Sequence, residues 1–160
     1  LAYHMHLLGV AGAREEAERG LKLAQDHGIL GMQTYLYSTL GEIAFAADED
    51  EQAEVHFKKG LEMAQRFAIA ERVAGITANM GLLAKKRGQK ELALHYISTA
   101  LGQAQSLGAR HLEAQIHLWL APLLPGEIGK EHLNQAHEIA INSGRKLLLE
   151  QVQRLRDEFE

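Results

Sequence analysis

Residues 40–65 read LGEIAFAADEDEQAEVHFKKGLEMAQ, and residues 80–105 read MGLLAKKRGQKELALHYISTALGQAQ. Small, large and polar residues follow the same order in both stretches, although the charges differ. The agreement continues along the chain in steps of 40 residues. It includes Leu21, Leu61 and Leu101; Ala24, Ala64 and Ala104; Gln25, Gln65 and Gln105; Ala13, Ala53 and Ala93; Gly20, Gly60 and Ala100; and Gly41 with Gly81. Such agreement in register identifies an internal repeat.

The apolar residues within each copy have helical spacing. This spacing predicts one helix over 34–47 and, after the break DED, a second helix that carries Ala53 and Phe57. The next copy predicts helices over 70–87 and 90–107. Long helices joined by short turns pack antiparallel, so each copy is predicted to be a helical hairpin. Adjacent hairpins should stack, because neither buries its apolar face alone.

The predicted fold class is therefore all-α, an α-solenoid of antiparallel helical hairpins closed by a C-terminal capping helix. One domain is predicted, with a partial repeat at 1–28, repeats at 29–68 and 69–108, a divergent repeat at 109–144 and the capping helix at 145–160.

Two features modify this picture. In the divergent repeat, Pro122 and Pro125 predict a kink or an early helix end near Leu120, because proline lacks the backbone donor and clashes with the preceding turn. At the start, Leu1 opens the chain inside an apolar pattern, so we expect a fragment of a longer protein.

A set of signature positions carries a family resemblance. They are Tyr37, Leu40, Gly41, Ala44, Ala53, Phe57 and Gly60 in one copy, and Thr77, Met80, Gly81, Ala84, Ala93, Ile97 and Ala100 in the next. These residues resemble the tetratricopeptide repeat (TPR) family, whose signature is W-x2-L-G-x2-Y followed by A-x3-F. The 40-residue period exceeds the family's usual length of about 34, which is similar to the long-period branch of kinesin light chains and bacterial regulators. The resemblance implies a right-handed solenoid in which the first helix of each hairpin lines a concave groove.

The same register implies which side chains face that groove. They are Tyr35, Ser38, Glu42 and Phe45 from one helix, Ala78, Asn79, Leu82 and Lys85 from the next, and Gln115, Leu118 and Trp119 from the third. This mixture of aromatic, polar and charged groups is typical of a surface that binds a peptide or protein. The alternative is that Tyr35, Phe45 and Trp119 only pack between helices, as large aromatic residues often do.

The one basic cluster, KKRGQK at residues 85–90, ends a predicted helix. There it complements the helix dipole, so a solvated helix end explains it. The alternative is anion recognition in the groove. In the TPR register, we expect at least one of Lys85 and Lys86 to face inward.

TPR proteins that clamp the acidic tails of heat-shock chaperones use Lys, Asn, Asn, Lys and Arg at five groove positions. The matching positions here are Ser38, Glu42, Asn79, Gln115 and Trp119. Only Asn79 agrees, and Glu42 would repel a terminal carboxylate. The resemblance therefore does not extend to that ligand.

Composition and motifs argue against several other functions. The formal net charge of -4 gives no long-range attraction for nucleic acid or anionic membranes. The absence of cysteine excludes thiol chemistry, and the sequence has neither a nucleophile elbow nor a glycine-rich phosphate loop. Spacings between the nine histidines, such as His132 to His137, do not fit metal ligands on one helix. We therefore expect no enzyme activity, no cofactor and no metal.

The sequence as a whole predicts a non-catalytic, cytoplasmic binding module whose partner is a peptide or protein. One alternative is a ligand-sensing domain of a signal-transducing or transcriptional regulator, in which a ligand shifts the packing between hairpins. A second alternative is a structural spacer that self-associates, with an exposed solenoid end forming a homodimer. The partner itself is not identified by these residues.

Overall fold

The computed structural model describes residue 9 and residues 11–159. Residues 1–8, the start of the predicted partial repeat, lie outside the described residues, and so does Glu160. Regular structure in the described part consists of α-helices and one short 3-10 helix. The helices are α1 (Ala13–Asp26), α2 (Leu30–Ala46), α3 (Asp50–Arg66), α4 (Ala70–Lys86), α5 (Lys90–Ser106), α6 (Arg110–Leu120), α7 (Gly126–Asn142) and α8 (Lys146–Phe159). The prediction of an all-α fold is confirmed.

The helices follow a shorter period than the sequence repeat. Helices α2 to α6 begin at residues 30, 50, 70, 90 and 110, which is one start every 20 residues. Helices α2, α3, α4 and α5 each contain 17 residues, with three-residue linkers between them. Consecutive helices pack against each other as antiparallel pairs. Each 40-residue repeat is thus a hairpin of two equally long helices.

The linkers share one backbone geometry, which ends each helix at the same point. Their middle residues have positive φ, as in Gly28 (66°) and Gly88 (73°). The last residue of each linker donates its backbone N–H to the carbonyl oxygen of an alanine five residues earlier. The pairs are Ile29 to Ala24, Glu49 to Ala44, Ile69 to Ala64, Gln89 to Ala84 and Ala109 to Ala104. This is the Schellman motif, which favours glycine at the left-handed position.

Two of these left-handed positions are not glycine. Asp48 has a φ of 61° and Ala68 a φ of 53°. A side chain raises the energy of this conformation, because Cβ crowds the following carbonyl oxygen. The linkers on either side of α3 therefore contain local strain.

Small residues inside the hairpins are required by close packing. A methyl group added at Gly41 would overlap the ring of Phe57, and one added at Gly81 would overlap Ile97. Phe57 and Ile97 are both fully buried. The agreement of small and large residues between the two copies is thus explained by two equivalent helix contacts.

The first helices of successive hairpins form one layer. Helix α2 contacts α4, α4 contacts α6, and α6 contacts α8, in addition to the contacts between consecutive helices. Helix α8 buries Leu148 and Val152 against α6 and α7, so it covers the C-terminal end of the core. The arrangement is the predicted solenoid with a C-terminal capping helix.

The divergent hairpin departs from the period where proline predicts it. Helix α6 ends at Leu120 after 11 residues, and a 3-10 helix at Ala121–Leu123 follows. Pro125 then takes an extended conformation immediately before α7. The predicted early end of this helix is confirmed.

Candidate binding groove

A groove of about 610 Å³ lies on the layer formed by α2, α4 and α6. Seven of the residues that the sequence places on the concave surface line it. They are Ser38, Glu42, Phe45, Asn79, Leu82, Gln115 and Trp119. The rest of the lining is Ala46, Glu71, Arg72, Gly75, Ala109, Arg110, His111 and Leu112. Three successive hairpins therefore contribute to a single groove.

A half-buried polar network joins α2 to α4 within the groove. The Oε1 atom of Glu42 accepts hydrogen bonds from Asn79 Nδ2 at 3.0 Å and from Ser38 Oγ at 3.3 Å. Burial raises the pKa of Glu42, while these two hydrogen bonds and the charge of Arg72 oppose that rise. The position of Glu42 is therefore fixed from both helices.

One edge of the groove carries two arginines and a histidine. Helices α2, α4 and α6 run parallel because each alternates with an antiparallel neighbour, so the first turns of α4 and α6 lie at the same edge. The first turn of α4 carries Arg72, and that of α6 carries Arg110 and His111. Two carboxylates lie at the same edge, Glu71 in the first turn of α4 and Glu113 in that of α6. The amino-terminal helix ends add partial positive charge here.

The two arginines at this edge differ in their partners. Arg110 Nη1 forms an ion pair of 2.9 Å with Glu113. Arg72 has its guanidinium carbon 5.2 Å from the ring centroid of Tyr35. Arg72 makes no ion pair with any residue in the described part of the chain. Its charge is therefore available to an anionic group entering the groove.

The opposite edge is apolar and aromatic. Phe45 and Ala46 lie at the carboxyl end of α2, Leu82 near that of α4, and Trp119 near that of α6. Phe45, Leu82 and Trp119 are half-buried, so each retains exposed surface in the groove. Large side chains of this kind are typical anchors of protein interfaces.

The basic cluster at the end of α4 makes contacts between hairpins. Lys86 Nζ lies 2.7 Å from Asp48 Oδ1 and 2.6 Å from Asp50 Oδ1, and 4.9 Å from the ring centroid of Phe45. Arg87 pairs with Glu54 at 2.6 Å. Hydrogen bonds to the two aspartates raise the pKa of Lys86. These ion pairs hold the end of α4 against the preceding hairpin.

Four predicted groove residues lie elsewhere. Ala78 is fully buried in a cluster with Ile116, and Leu118 is buried against the divergent hairpin, because both point between helices. Tyr35 is half-buried beside Arg72, outside the lining residues. Lys85 is exposed and does not line the groove. Ala78 and Leu118 are thus covered by neighbouring helices, and none of the four side chains is among the residues that line the groove.

The inward-facing lysine is also a correction. Neither Lys85 nor Lys86 lines the groove, because the cluster lies beyond its apolar edge, where Lys86 turns back to the linker at Asp48. The cationic residue that α4 contributes to the groove is Arg72, which the sequence analysis did not identify. A signal was present, since Arg72, Gly75, Asn79 and Leu82 are spaced as one helical stripe.

A buried histidine pair was also missed. Nδ1 of His117 in α6 lies 2.7 Å from Nδ1 of His132 in α7, and the ring centroids are 5.0 Å apart. Burial is the main cause that lowers the pKa of His117 to about 4, with the charge of His132 adding to it. Spacing along one helix cannot identify such a pair, because its members come from different helices. Among the described residues, no group of three or more His, Cys, Asp or Glu side chains is placed to hold a metal ion.

No protein-family model matches this sequence, and no curated protein matches it at a significant level. Within the part of the chain that the structure describes, no helix combines the length and the apolar character needed to cross a membrane.

Proposed function

We propose that the chain is a TPR-like, non-catalytic binding module that holds a peptide or protein segment in the groove across α2, α4 and α6. The observation that carries the proposal is the division of the groove into an edge with Arg72, which makes no ion pair among the described residues, and an apolar edge at Phe45 and Trp119. A segment crossing the three helices contacts both edges. As part of this proposal, we assign the module to the cytoplasm.

Each part of the groove has a distinct role in this proposal. Phe45, Leu82 and Trp119 contact apolar side chains of the partner, and burying such surface supplies most of the affinity. Arg72 sets the orientation of the segment through a charged or polar group. The Glu42–Asn79 hydrogen bond keeps the two central helices in place, so the partner meets a preformed surface.

A binding role also fits the polar chemistry of the groove. Ser38 is buried, and its hydroxyl donates to Glu42, so both groups belong to the network that joins α2 to α4. The carboxylate of Glu113 is engaged by Arg110. These groups support the shape of the groove.

The test is a peptide-display selection against the folded domain, followed by calorimetric measurement of affinity. The groove variant combines Phe45→Ala with Trp119→Ala, and the matched control combines Val55→Ala with Leu92→Ala on α3 and α5. Val55 and Leu92 are exposed on the outer layer, so removing them leaves the groove unchanged. Circular dichroism checks that both variants retain their helices.

We expect the selected peptides to bind the control as they bind the parent, and the groove variant at least about tenfold more weakly, since interface anchors each contribute more than about 1 kcal/mol. Equal affinity for all three proteins would refute the groove as the binding site.

One observation favours the self-associating alternative. Leu23, Ile29 and Met32 form an exposed apolar group around the α1–α2 linker, with exposed fractions of 60%, 52% and 49%. A homodimer through this end would bury them. Sedimentation velocity over a concentration series separates the two proposals, because only the spacer requires a dimer that Leu23→Glu disrupts.

A further inference from the structure

A second cavity of about 570 Å³ lies on the outer side of the solenoid, and it is shallow and open, since seven of its nine lining residues are exposed. It is formed by the end of α3, the start of α4 and the second half of α5, and it shares no lining residue with the groove. Its lining residues are Gln65, Ala68, Ala70, Val73, Thr99, Gly102, Gln103, Ser106 and Leu107. None of these carries a charge, and the volume is in the range of small-molecule sites.

Small residues of α5 open this cavity. Forty residues earlier, α3 has larger side chains at the equivalent positions: Lys59, Glu62, Met63 and Arg66 in place of Thr99, Gly102, Gln103 and Ser106. In α3, Lys59 and Glu62 form an ion pair of 3.1 Å. The second hairpin therefore has an opening where the first has side chains.

Packing does not explain Gly102. It lies inside α5 with ordinary helical φ, and an added Cβ would meet no atom within 4 Å. Glycine within a helix lowers helix stability relative to alanine. Gly41 and Gly81, by contrast, are required by neighbouring side chains. What Gly102 provides is open space above α5.

One polar atom of the cavity lacks a hydrogen-bond donor. Thr99 Oγ1 donates to His95 O at 2.8 Å, and Ser106 Oγ donates to Gly102 O at 2.8 Å, so both hydroxyl protons are used. The Oε1 atom of Gln103 is buried and accepts no hydrogen bond from the described residues. A buried acceptor without a partner is unfavourable. A ligand reaches this oxygen only after the amide rotates, which the broad terminal torsion of glutamine permits.

We propose that this cavity binds a small, mostly apolar molecule that carries one N–H or O–H donor, with Gln103 Oε1 as the acceptor. The apolar lining at Ala68, Val73 and Leu107 contacts the body of the ligand. The absence of charge from the lining residues favours a neutral ligand. This site is independent of the groove and of the partner proposed there.

Two probes that differ in the donor alone test the proposal. Indole carries an N–H, and benzofuran has nearly the same shape with an oxygen in its place. Titration of the 15N-labelled protein is followed by amide chemical shifts. We expect indole to shift resonances of α3, α4 and α5 around the cavity, and to bind about tenfold more tightly than benzofuran.

Gln103→Met places in α5 the residue that α3 has at Met63, and it removes the acceptor. Indole should then bind no more tightly than benzofuran. Gly102→Glu combined with Ser106→Arg introduces the side chains found at these two positions in the first hairpin, and it should abolish binding of both probes. Gly102→Ala adds one methyl group and should weaken the binding of both probes. It serves as the test if the double variant does not fold. Val55→Ala, outside the cavity, should change neither affinity.

Indole shifts that map away from the cavity would overturn the proposal. So would equal affinity of the parent for the two probes, or a preference for indole that persists in Gln103→Met. The groove experiment is unaffected by any of these outcomes, because the two sites share no lining residue.

Discussion

Asn79 Nδ2 lies 3.0 Å from Glu42 Oε1, and this hydrogen bond links the first helices of two successive hairpins inside the groove. The pair does not follow the repeat, since the positions 40 residues from Glu42 and Asn79 are Leu82 and Thr39. A polar contact that breaks the repeat at the groove indicates a local specialisation of this surface.

The burial of Glu42 predicts a pH effect on stability. The pKa of Glu42 is raised in the folded protein above the ordinary glutamate pKa of 4.5. At pH values between these two pKa values, the folded protein therefore binds more protons than the unfolded chain. Stability is therefore lost as the pH rises through this range. Glu42→Gln keeps an acceptor for Asn79 and should raise the free energy of unfolding at pH 7.

Urea unfolding at pH 7 and pH 4 checks this prediction. The advantage of Glu42→Gln should shrink at pH 4, where the parent carboxyl is protonated. Glu71→Gln, an exposed carboxylate at the edge of the same groove, is the control. A parent that is more stable than Glu42→Gln at pH 7 would show that the charged form is favoured.

The His117–His132 pair predicts that stability falls as the pH is lowered, which is opposite to the effect of Glu42. The unfolded histidine takes up a proton near pH 6.5, whereas the pKa of folded His117 is about 4. Lowering the pH from 6.5 toward 4 therefore favours the unfolded chain, by up to about 3 kcal/mol. Glu113 and Glu131 moderate the effect, and Arg110 and His132 increase it.

Thermal unfolding over pH 4 to 7 tests the histidine pair. His117→Phe preserves a ring against His132 and should flatten the pH dependence. His137→Phe, on the same helix as His132 but outside the pair, should leave it unchanged. A parent whose slope equals that of His117→Phe would contradict the assignment.

The left-handed linker residues predict a stabilising substitution. Ala68 has a φ of 53°, and its methyl side chain makes no polar contact that would offset the strain. Ala68→Gly should therefore raise the free energy of unfolding by about 1 kcal/mol. Asp48 has a similar φ but pairs with Lys86 at 2.7 Å. Asp48→Gly should therefore gain less. Chemical denaturation compares the two, and an equal gain would mean that the Lys86 contact adds nothing.

Helix packing predicts that two glycines respond oppositely to alanine. Gly41→Ala places a methyl group against the buried ring of Phe57 and should destabilise by about 1–3 kcal/mol. Gly31→Ala, on the same helix with no atom within 4 Å of the new Cβ, should stabilise by about 0.5–1 kcal/mol. Thermal unfolding measures both. Phe57→Leu should partly rescue Gly41→Ala, and a lack of rescue would place the clash elsewhere.

Most of the fold could be predicted from the sequence because its contacts repeat. Gly41 with Phe57 and Gly81 with Ile97 are the same contact made twice, and such pairs are visible in the register of two aligned copies. The prolines after Leu120 act locally, so their effect on α6 can also be predicted from the sequence.

The groove could be predicted only in part. Helical register correctly brings Phe45, Asn79 and Trp119 together, but it does not separate a groove position from the adjacent buried one at Ala78. That distinction depends on how far one helix is rotated against the next. The histidine pair depends on the early end of α6 and on the longer connection at 121–125, which together move His132 out of the repeat register.

Site-specific photocrosslinking tests the central claim most directly. A benzophenone amino acid replaces either Leu82, half-buried in the groove, or Leu92, exposed on α5, and each protein is irradiated with a selected peptide. We predict a crosslink from position 82 that excess unlabelled peptide suppresses, and none from position 92. Efficient crosslinking from position 92 with none from position 82 would contradict a partner bound across α2, α4 and α6.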